Sequence, residues 1–294
     1  MTASPCHIPV MLDEVASWLN PEPGMVIVDG TFGGGGHARA LAQAVAPNGR
    51  VVAADLDPAA VEQAADRFRG LPIDLAHASY CDLPEVLDQL GVDEVDGVLL
   101  DLGLSSDQLA DASRGFSFQG DGDLDLRFDP SCGQPAWALL QRMSERQIAD
   151  ALFHFGEERY SRRIARRIIE RRRSGAVRTA GDLAQLVRSC VPRSPGRSID
   201  PATRTFQALR ILVNDELKNI ETALTRLPPR IRPNRRIAVL SFHSLEDRIV
   251  KTNFRNNPLL DPITRRPIQP SAEELRRNPR ARSAKLRVAV RVGR

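Results

Sequence analysis

The sequence predicts an α/β fold: a doubly wound, mainly parallel sheet interrupted after its fourth strand by a helical insertion. Three observations predict it. The first hundred residues alternate short apolar runs with amphipathic stretches, residues 136–226 carry helix signals only, and strand signals return after residue 235. Strand–helix alternation feeds a parallel sheet, and a long helical block cannot lie within it.

The elements follow in order. Residues 25–29 (MVIVD), 50–55 (RVVAAD), 73–77 (IDLAH) and 95–101 (VDGVLLD) are short apolar runs of the kind buried parallel strands show. Residues 37–45, 58–68 and 83–90 between them are amphipathic. Asp57 before Pro58 supplies a capping carboxylate and a first-turn proline. Residues 102–135, rich in Gly, Ser and Asp, read as a long loop, a length uncommon unless functional. Ser144 with Gln147 is a capping box for one helix. Residues 157–173 form a second, stopped near Gly175, and Thr179 with Asp182 opens a third. Asp200-Pro201 starts a fourth that runs to about Arg226, with Phe206, Leu209, Val213, Leu217, Ile220 and Leu224 on one stripe. Strands return at 236–241 (RIAVLS) and, with period-two alternation, at 286–292 (LRVAVRV). Residues 1–112 with 216–294 therefore form the sheet domain and 113–215 a mostly helical insertion of domain size.

Composition narrows the function. The chain has 294 residues, 42% hydrophobic and 27% charged, an ordinary globular balance. It has no apolar run of the roughly 18–20 residues a membrane span needs, and its N-terminus lacks the regions of a signal peptide. Cys6, Cys81, Cys132 and Cys190 lie far apart, suggesting neither a disulfide framework nor a zinc site and fitting a reducing cytoplasm. The net charge of +4 hides an asymmetry: residues 157–173 carry +5, residues 276–294 carry +8 and the remainder −9. Basic blocks suit a polyphosphate partner, and equally a solvated helix face and a basic tail.

Residues 28–37 (VDGTFGGGGH) end the first strand and open a helix. Gly33, Gly35 and Gly36 allow positive φ and close ligand approach, and the helix start offers free N–H donors. Asp55 closes the second strand, where an acid accepts hydrogen bonds from ribose hydroxyls. The pairing fits a dinucleotide or S-adenosylmethionine. Asp29 before the turn favours the second, because an acid there suits a cationic ligand and repels a pyrophosphate. Asp101 ends the fourth strand at the crevice where open α/β sheets bind ligands; the bland alternative is a loop cap.

Eight motifs carry a family resemblance: HIPVMLDE (7–14), DGTFGGGGH (29–37), DLGLSS (101–106), RGFSF (114–118), LDLR (124–127), PATRTFQALR (201–210), SFHSLEDR (241–248) and NPRARS (278–283). Collinear over nearly the whole chain, they resemble the bacterial ribosomal RNA methyltransferases that modify the N4 amine of one decoding-centre cytidine in 16S RNA. The resemblance implies a Rossmann-like class I methyltransferase sheet using S-adenosyl-L-methionine. It implies that Gly35, Gly36 and His37 line the cofactor, that Asp55 holds its ribose and that Asp101 and Gln108 complete the pocket. Tyr80 stands where the family often has Phe, keeping an apolar face for adenine. The segment between Phe254 and Glu273 looks shorter than in many relatives. The implied substrate is small-subunit ribosomal RNA, naked or assembled, met by a cytoplasmic enzyme without metal, as monomer or homodimer.

Asp101, with Ser105 or main-chain carbonyls, is the candidate for accepting the amine hydrogens. Phe116, Phe118 and Phe242 are candidates to stack on the unstacked base, or else core residues. Arg114 in the RGFSF motif is a further RNA candidate. Arg204, Gln207 and Asn214 share a helix face open to RNA. Arg162, Arg163, Arg166 and Arg167 flank Ile164, Ile168 and Ile169, so guanidinium groups point outward toward phosphate. His37 and His243 have no partner at metal-ligand spacing, and His243 either contacts RNA or orders its loop. Two other readings share parts of this pattern. A nicotinamide-dependent oxidoreductase has the glycine turn but no acid like Asp29, and a non-catalytic RNA-binding protein has no need of three intact acids. DNA as the substrate is disfavoured by the resemblance alone.

Overall fold

A computed structural model describes residues 8–118, 122–174, 177–192 and 200–293. Cys6, His7 and Gly175 fall outside them. The chain divides into two compact units, residues 1–106 with 217–294, and residues 107–216.

The first unit is built on a seven-stranded sheet in the order β3-β2-β1-β4-β5-β7-β6. Its elements begin with α1 (Leu12–Leu19), β1 (Val26–Asp29), α2 (Gly36–Val45), β2 (Arg50–Asp55), α3 (Pro58–Arg67), β3 (Ile73–His77), α4 (Leu83–Gln89) and β4 (Val95–Asp101). Strands β1 to β4 with β5 (Ile231–Ser241) are parallel, whereas β7 (Lys285–Arg291) runs antiparallel between β5 and the short β6 (Leu260–Pro262). The period-two geometry of strands splits the apolar residues between two faces. Val28, Val52, Val98, Leu100 and Val239 face α4, α11 (Glu216–Arg226) and α12 (Ser244–Asn256). Ile27, Val51, Leu99, Ala238 and Leu240 face α1, α2 and α3. Covering both faces is what makes these strands continuous apolar runs. All parallel strands end on one edge, which brings Asp29, Asp55 and Asp101 to the same side of the sheet.

The second unit is helical. It holds α5 (Ser106–Ala110, whose first residue is the last of the sheet unit), α6 (Ala136–Arg142), α7 (Glu145–Gly156), α8 (Ser161–Ser174), α9 (Ala180–Cys190) and α10 (Thr203–Asn214). Both expected capping boxes are present, Ser144 with Gln147 and Thr179 with Asp182. Ile148, Leu152, Ile164, Ile168, Leu183, Val187, Phe206 and Leu209 are buried.

Three expectations need correction. The helix expected over 157–173 starts at Ser161, because Glu157 terminates α7 at φ +49° and the buried Glu158 carboxylate accepts the Tyr160 N–H at 2.8 Å. The single helix to Arg226 is two helices: Asp215 at φ +50° ends α10, and Glu216 beyond it pairs bidentately with Arg210 at 2.7 Å. The stripe drawn across that break is buried at Phe206, Leu209, Ile220 and Leu224, but only half-buried at Val213 and Leu217. The loop after β4 contains α5 and a 3-10 turn, Ala112–Arg114. Helices α1, α6, α12 and α13 (Ala272–Arg277) and strand β6 were not anticipated. No helix among the described residues is long and apolar enough to cross a membrane.

Candidate functional site

The turn after β1 is drawn together by side chains on three strand ends. Asp29 is fully buried, and its Oδ1 accepts the Thr31 N–H at 3.2 Å. Thr31 Oγ1 accepts the Asp101 N–H at 2.6 Å, tying the end of β4 to this turn. Asp55 accepts the Gly33 N–H at 2.6 Å and the Asp57 N–H at 2.8 Å, one on each oxygen. A carboxylate has about four acceptor sites, so each oxygen keeps one lone pair for a ligand hydroxyl.

The glycines have distinct reasons. Gly33 and Gly35 sit at φ +51° and +73°. A Cβ on Gly35 would also lie 2.3 Å from Phe68 Cζ and 2.6 Å from Phe32 Cζ, and one on Gly36 would meet the Pro9 ring at 3.0 Å. The missing side chains at 35 and 36 are thus required by the protein's own packing, and what these residues present to a ligand is backbone N–H at the start of α2. His37, on the first turn of α2, is buried with Nε2 3.6 Å from Asp101 Oδ2.

Electrostatically the pocket is loaded with acid. Burial, reinforced by the Asp55 charge and opposed by the Thr31 hydrogen bonds, pushes the Asp29 carboxyl up to about 7. Burial also raises Asp55, against its backbone hydrogen bonds. Asp101 is raised well above the carboxylate range by burial first, then by the charges of Asp29 and Glu246. Asp29 Oδ2 and Asp101 Oδ1 are buried without a hydrogen-bond partner. Buried orphan acceptors are costly in a native protein and mark a place for a donor or a cation.

Glu246 is the site residue that sequence reasoning missed. It is fully buried and its Oε2 accepts the N–H groups of Phe242 at 2.7 Å and His243 at 3.2 Å. His243 caps α12, its Nδ1 accepting the Glu246 N–H at 3.3 Å, and its Nε2 lies 3.0 Å from Glu246 Oε1. His243 therefore orders its loop, the second of its two expected roles. The signal was there as a capping box with histidine in place of Ser or Thr. Around this core lie Ser105, whose Cβ is 3.5 Å from where a Cβ on Gly33 would be; Phe242, half-buried beside Gly103; and Tyr80, half-buried beside Gly30.

The remaining expected site residues belong to the helical unit. Gln108 is buried on α5. Arg114 donates to the carbonyls of Arg127 and Phe128, fixing the segment around LDLR. Phe116 is buried and stacks on Phe128 with centroids 6.1 Å apart, which favours the core among its two expected roles. Phe118, half-buried, meets Phe206 edge-on at 4.8 Å. Gln207 donates to the Phe155 carbonyl and Asn214 to those of Leu126 and Arg210, while the exposed Arg204 donates to Glu157. The polar face of α10 thus secures neighbouring backbone through part of the donor capacity of Gln207 and Asn214. On α8, Arg162, Arg163, Arg166 and Arg167 are exposed, Ile164 and Ile168 are buried and Ile169 is half-buried. Arg166 lies 3.8 Å from Glu145, an exposed pair worth little in water.

Comparison with known proteins places this geometry in context. The profile of the MraW methylase family matches residues 4–292. A ribosomal RNA small subunit methyltransferase H of Rhodopirellula baltica is 50% identical over 97% of this chain and 91% of its own length. Its counterpart in Thermomicrobium roseum is 45% identical over 98% and 94%. A solved rRNA methylase of Streptococcus thermophilus aligns over 100% of this chain and 99% of its own at 11% identity with a TM-score of 0.46, too distant to transfer residue roles.

Proposed function

The chain belongs to the MraW methylase family, and from that premise we propose that it transfers a methyl group to the N4 amine of a cytidine in 16S RNA of the small ribosomal subunit. It is an S-adenosylmethionine-dependent methyltransferase. The observation that carries the proposed site is the trio of acids on one sheet edge around the glycine turn, Asp29 fully buried and Asp55 and Asp101 half-buried, with a buried orphan oxygen on Asp29 and on Asp101.

S-adenosylmethionine supplies an electrophilic methyl on a sulfonium, together with positive charge. The residues fit it. The unpartnered Asp29 Oδ2 would take the ammonium end, Asp55 has lone pairs left for the ribose, and the N–H groups at Gly35 and Gly36 with His37 would hold the methionine part. Tyr80 would offer an apolar face to adenine. A cation beside Asp29 and Asp101 favours their ionised forms. Ionised Asp101 then accepts a hydrogen from the cytosine amine, whose lone pair is delocalised into the ring. Fixing that nitrogen in line with the methyl is worth several kcal/mol, up to roughly 7–11 in ideal models. Ser105 is the second candidate contact, and Phe242, alone among the three expected aromatics in the sheet unit, is the stacking candidate. The helical unit serves RNA recognition in this reading, through Arg162 and Arg166 on α8 and through Arg204 and Phe118.

Labelled S-adenosylmethionine, incubated with unmodified small subunits and separately with naked RNA, tests the reading by nucleoside analysis. N4-methylcytidine is the expected product, and no incorporation in either sample refutes the assignment. In the same assay Asp101→Ala should lower kcat by about a hundredfold or more, the range seen when an electrostatic partner of the reacting group is removed. A variant that loses only cofactor affinity restricts Asp101 to binding.

A further inference from the structure

The NPRARS motif at 278–283 takes no part in the pocket described above, yet the fold fixes it beside that pocket. Pro279–Ser283 forms a 3-10 turn in the sheet unit, with Ala281 fully buried and Ala284 2% exposed in the core beside Met11 and Leu286. Asn278, buried, donates Nδ2 to the Ile8 carbonyl at 3.2 Å, and Glu274 on α13 accepts the Met11 N–H at 2.6 Å. Pro9, between those two ties, packs on Gly36 at the start of α2. The turn is therefore held against the same segment that backs the glycine loop.

Arg280 and Arg282 flank the buried Ala281 and are both exposed. The Arg280 guanidinium donates to Ser106 Oγ, at the end of the DLGLSS motif and one residue from Ser105 beside Gly33. Arg282 has no acidic partner among the described residues, while Arg277 nearby is paired with Glu273. A base that enters this pocket leaves its flanking phosphates at the rim. Cations on a rigid rim attract those phosphates and fix how far the backbone approaches.

We propose that Arg280 and Arg282 form a phosphate-binding site at the rim of the sheet unit, gripping the RNA backbone next to the nucleotide whose base is methylated. The inference rests on the chain's acting on RNA. Removing one phosphate-binding cation takes about 0.7–0.9 from the slope of log affinity against log salt. The Arg280→Ala/Arg282→Ala protein should flatten that slope by about 1.4–1.8, and raise KM for RNA about three- to tenfold at moderate salt.

The test measures RNA binding and methyl transfer across a salt series, using whichever of unmodified subunit or naked RNA the wild type methylates. S-adenosylmethionine affinity and melting temperature are followed on the same preparations. The expected result is a flattened slope and a raised KM with both controls unchanged, and recovery of most of the slope in Arg280→Lys/Arg282→Lys. A wild-type slope in the double alanine protein overturns the proposal while leaving the methyltransferase reading intact. A loss of cofactor affinity that lysine does not rescue also overturns it, assigning Arg280 to the support of the Ser106 loop. A wild type that methylates neither substrate refutes the reading beneath it, and the proposal with it.

Discussion

At the scale of single residues, the informative feature is charge buried ahead of its partner. Asp29 is fully buried with one oxygen unpartnered, and its carboxyl lies near 7 because burial outweighs the Thr31 hydrogen bonds. Between the ordinary carboxylate value and 7, the folded protein holds a proton that the unfolded chain has released. Stability of the ligand-free protein therefore falls as pH rises from about 4 to 7, by at most about 4 kcal/mol from this group. Asp55 and Asp101 act in the same direction. Affinity for a cationic ligand has the opposite dependence and rises over that window, with proton release on binding. Asp29→Asn should flatten both profiles, raise the melting temperature of the free protein at pH 8 and weaken S-adenosylmethionine binding about 10- to 100-fold, the value of a charged hydrogen bond. Melting curves from pH 5 to 8 and calorimetry in two buffers measure it; a mutant with the wild-type pH profile removes Asp29 from this role.

At the scale of elements, helix boundaries divide by how local their cause is. The caps at Ser144 and Thr179 are formed by residues three apart, so they stand in the sequence as in the structure. Thr179→Ala should cost about 1 kcal/mol of stability, read in a denaturant titration, since it frees the Asp182 N–H. The breaks at Glu157 and Asp215 were not legible. Neither residue is a usual left-handed terminator, and each break is held by a neighbouring carboxylate, Glu158 on the Tyr160 N–H and Glu216 on Arg210. Helix α12 escaped notice for a related reason: its cap is a histidine.

At the scale of the whole molecule, charge is distributed unit by unit. The acids converge on one sheet edge, and the basic blocks lie on α8 in the helical unit and around residues 276–291 in the sheet unit. If both blocks meet phosphate, their effects on salt dependence add, because separate contacts release separate counterions. Arg162→Ala/Arg166→Ala should flatten the slope of RNA binding by about 1.4–1.8 on its own account. An unchanged slope leaves α8 a solvated face.

Much of this protein was determined by sequence alone. Apolar runs of strand length, separated by amphipathic stretches, specify a parallel sheet with both faces covered, and that topology puts residues after successive strands on one edge. The glycine turn, Asp29, Asp55 and Asp101 were legible because each is the last residue of its strand or adjoins it. Tertiary structure alone decided which polar side chains remain for a ligand. Arg114, Gln207 and Asn214 look wholly available in the sequence, but backbone carbonyls distant in the chain take part of their donor capacity. Phe116 reads in the sequence as a stacking ring or a core residue, and its burial against Phe128 favours the core. Glu246 looks like one more surface acid, but the fold buries it completely. Periodicity records which way a residue faces along its own element; whether its hydrogen bonds are already made depends on partners distant in the chain, and only the folded structure brings those together.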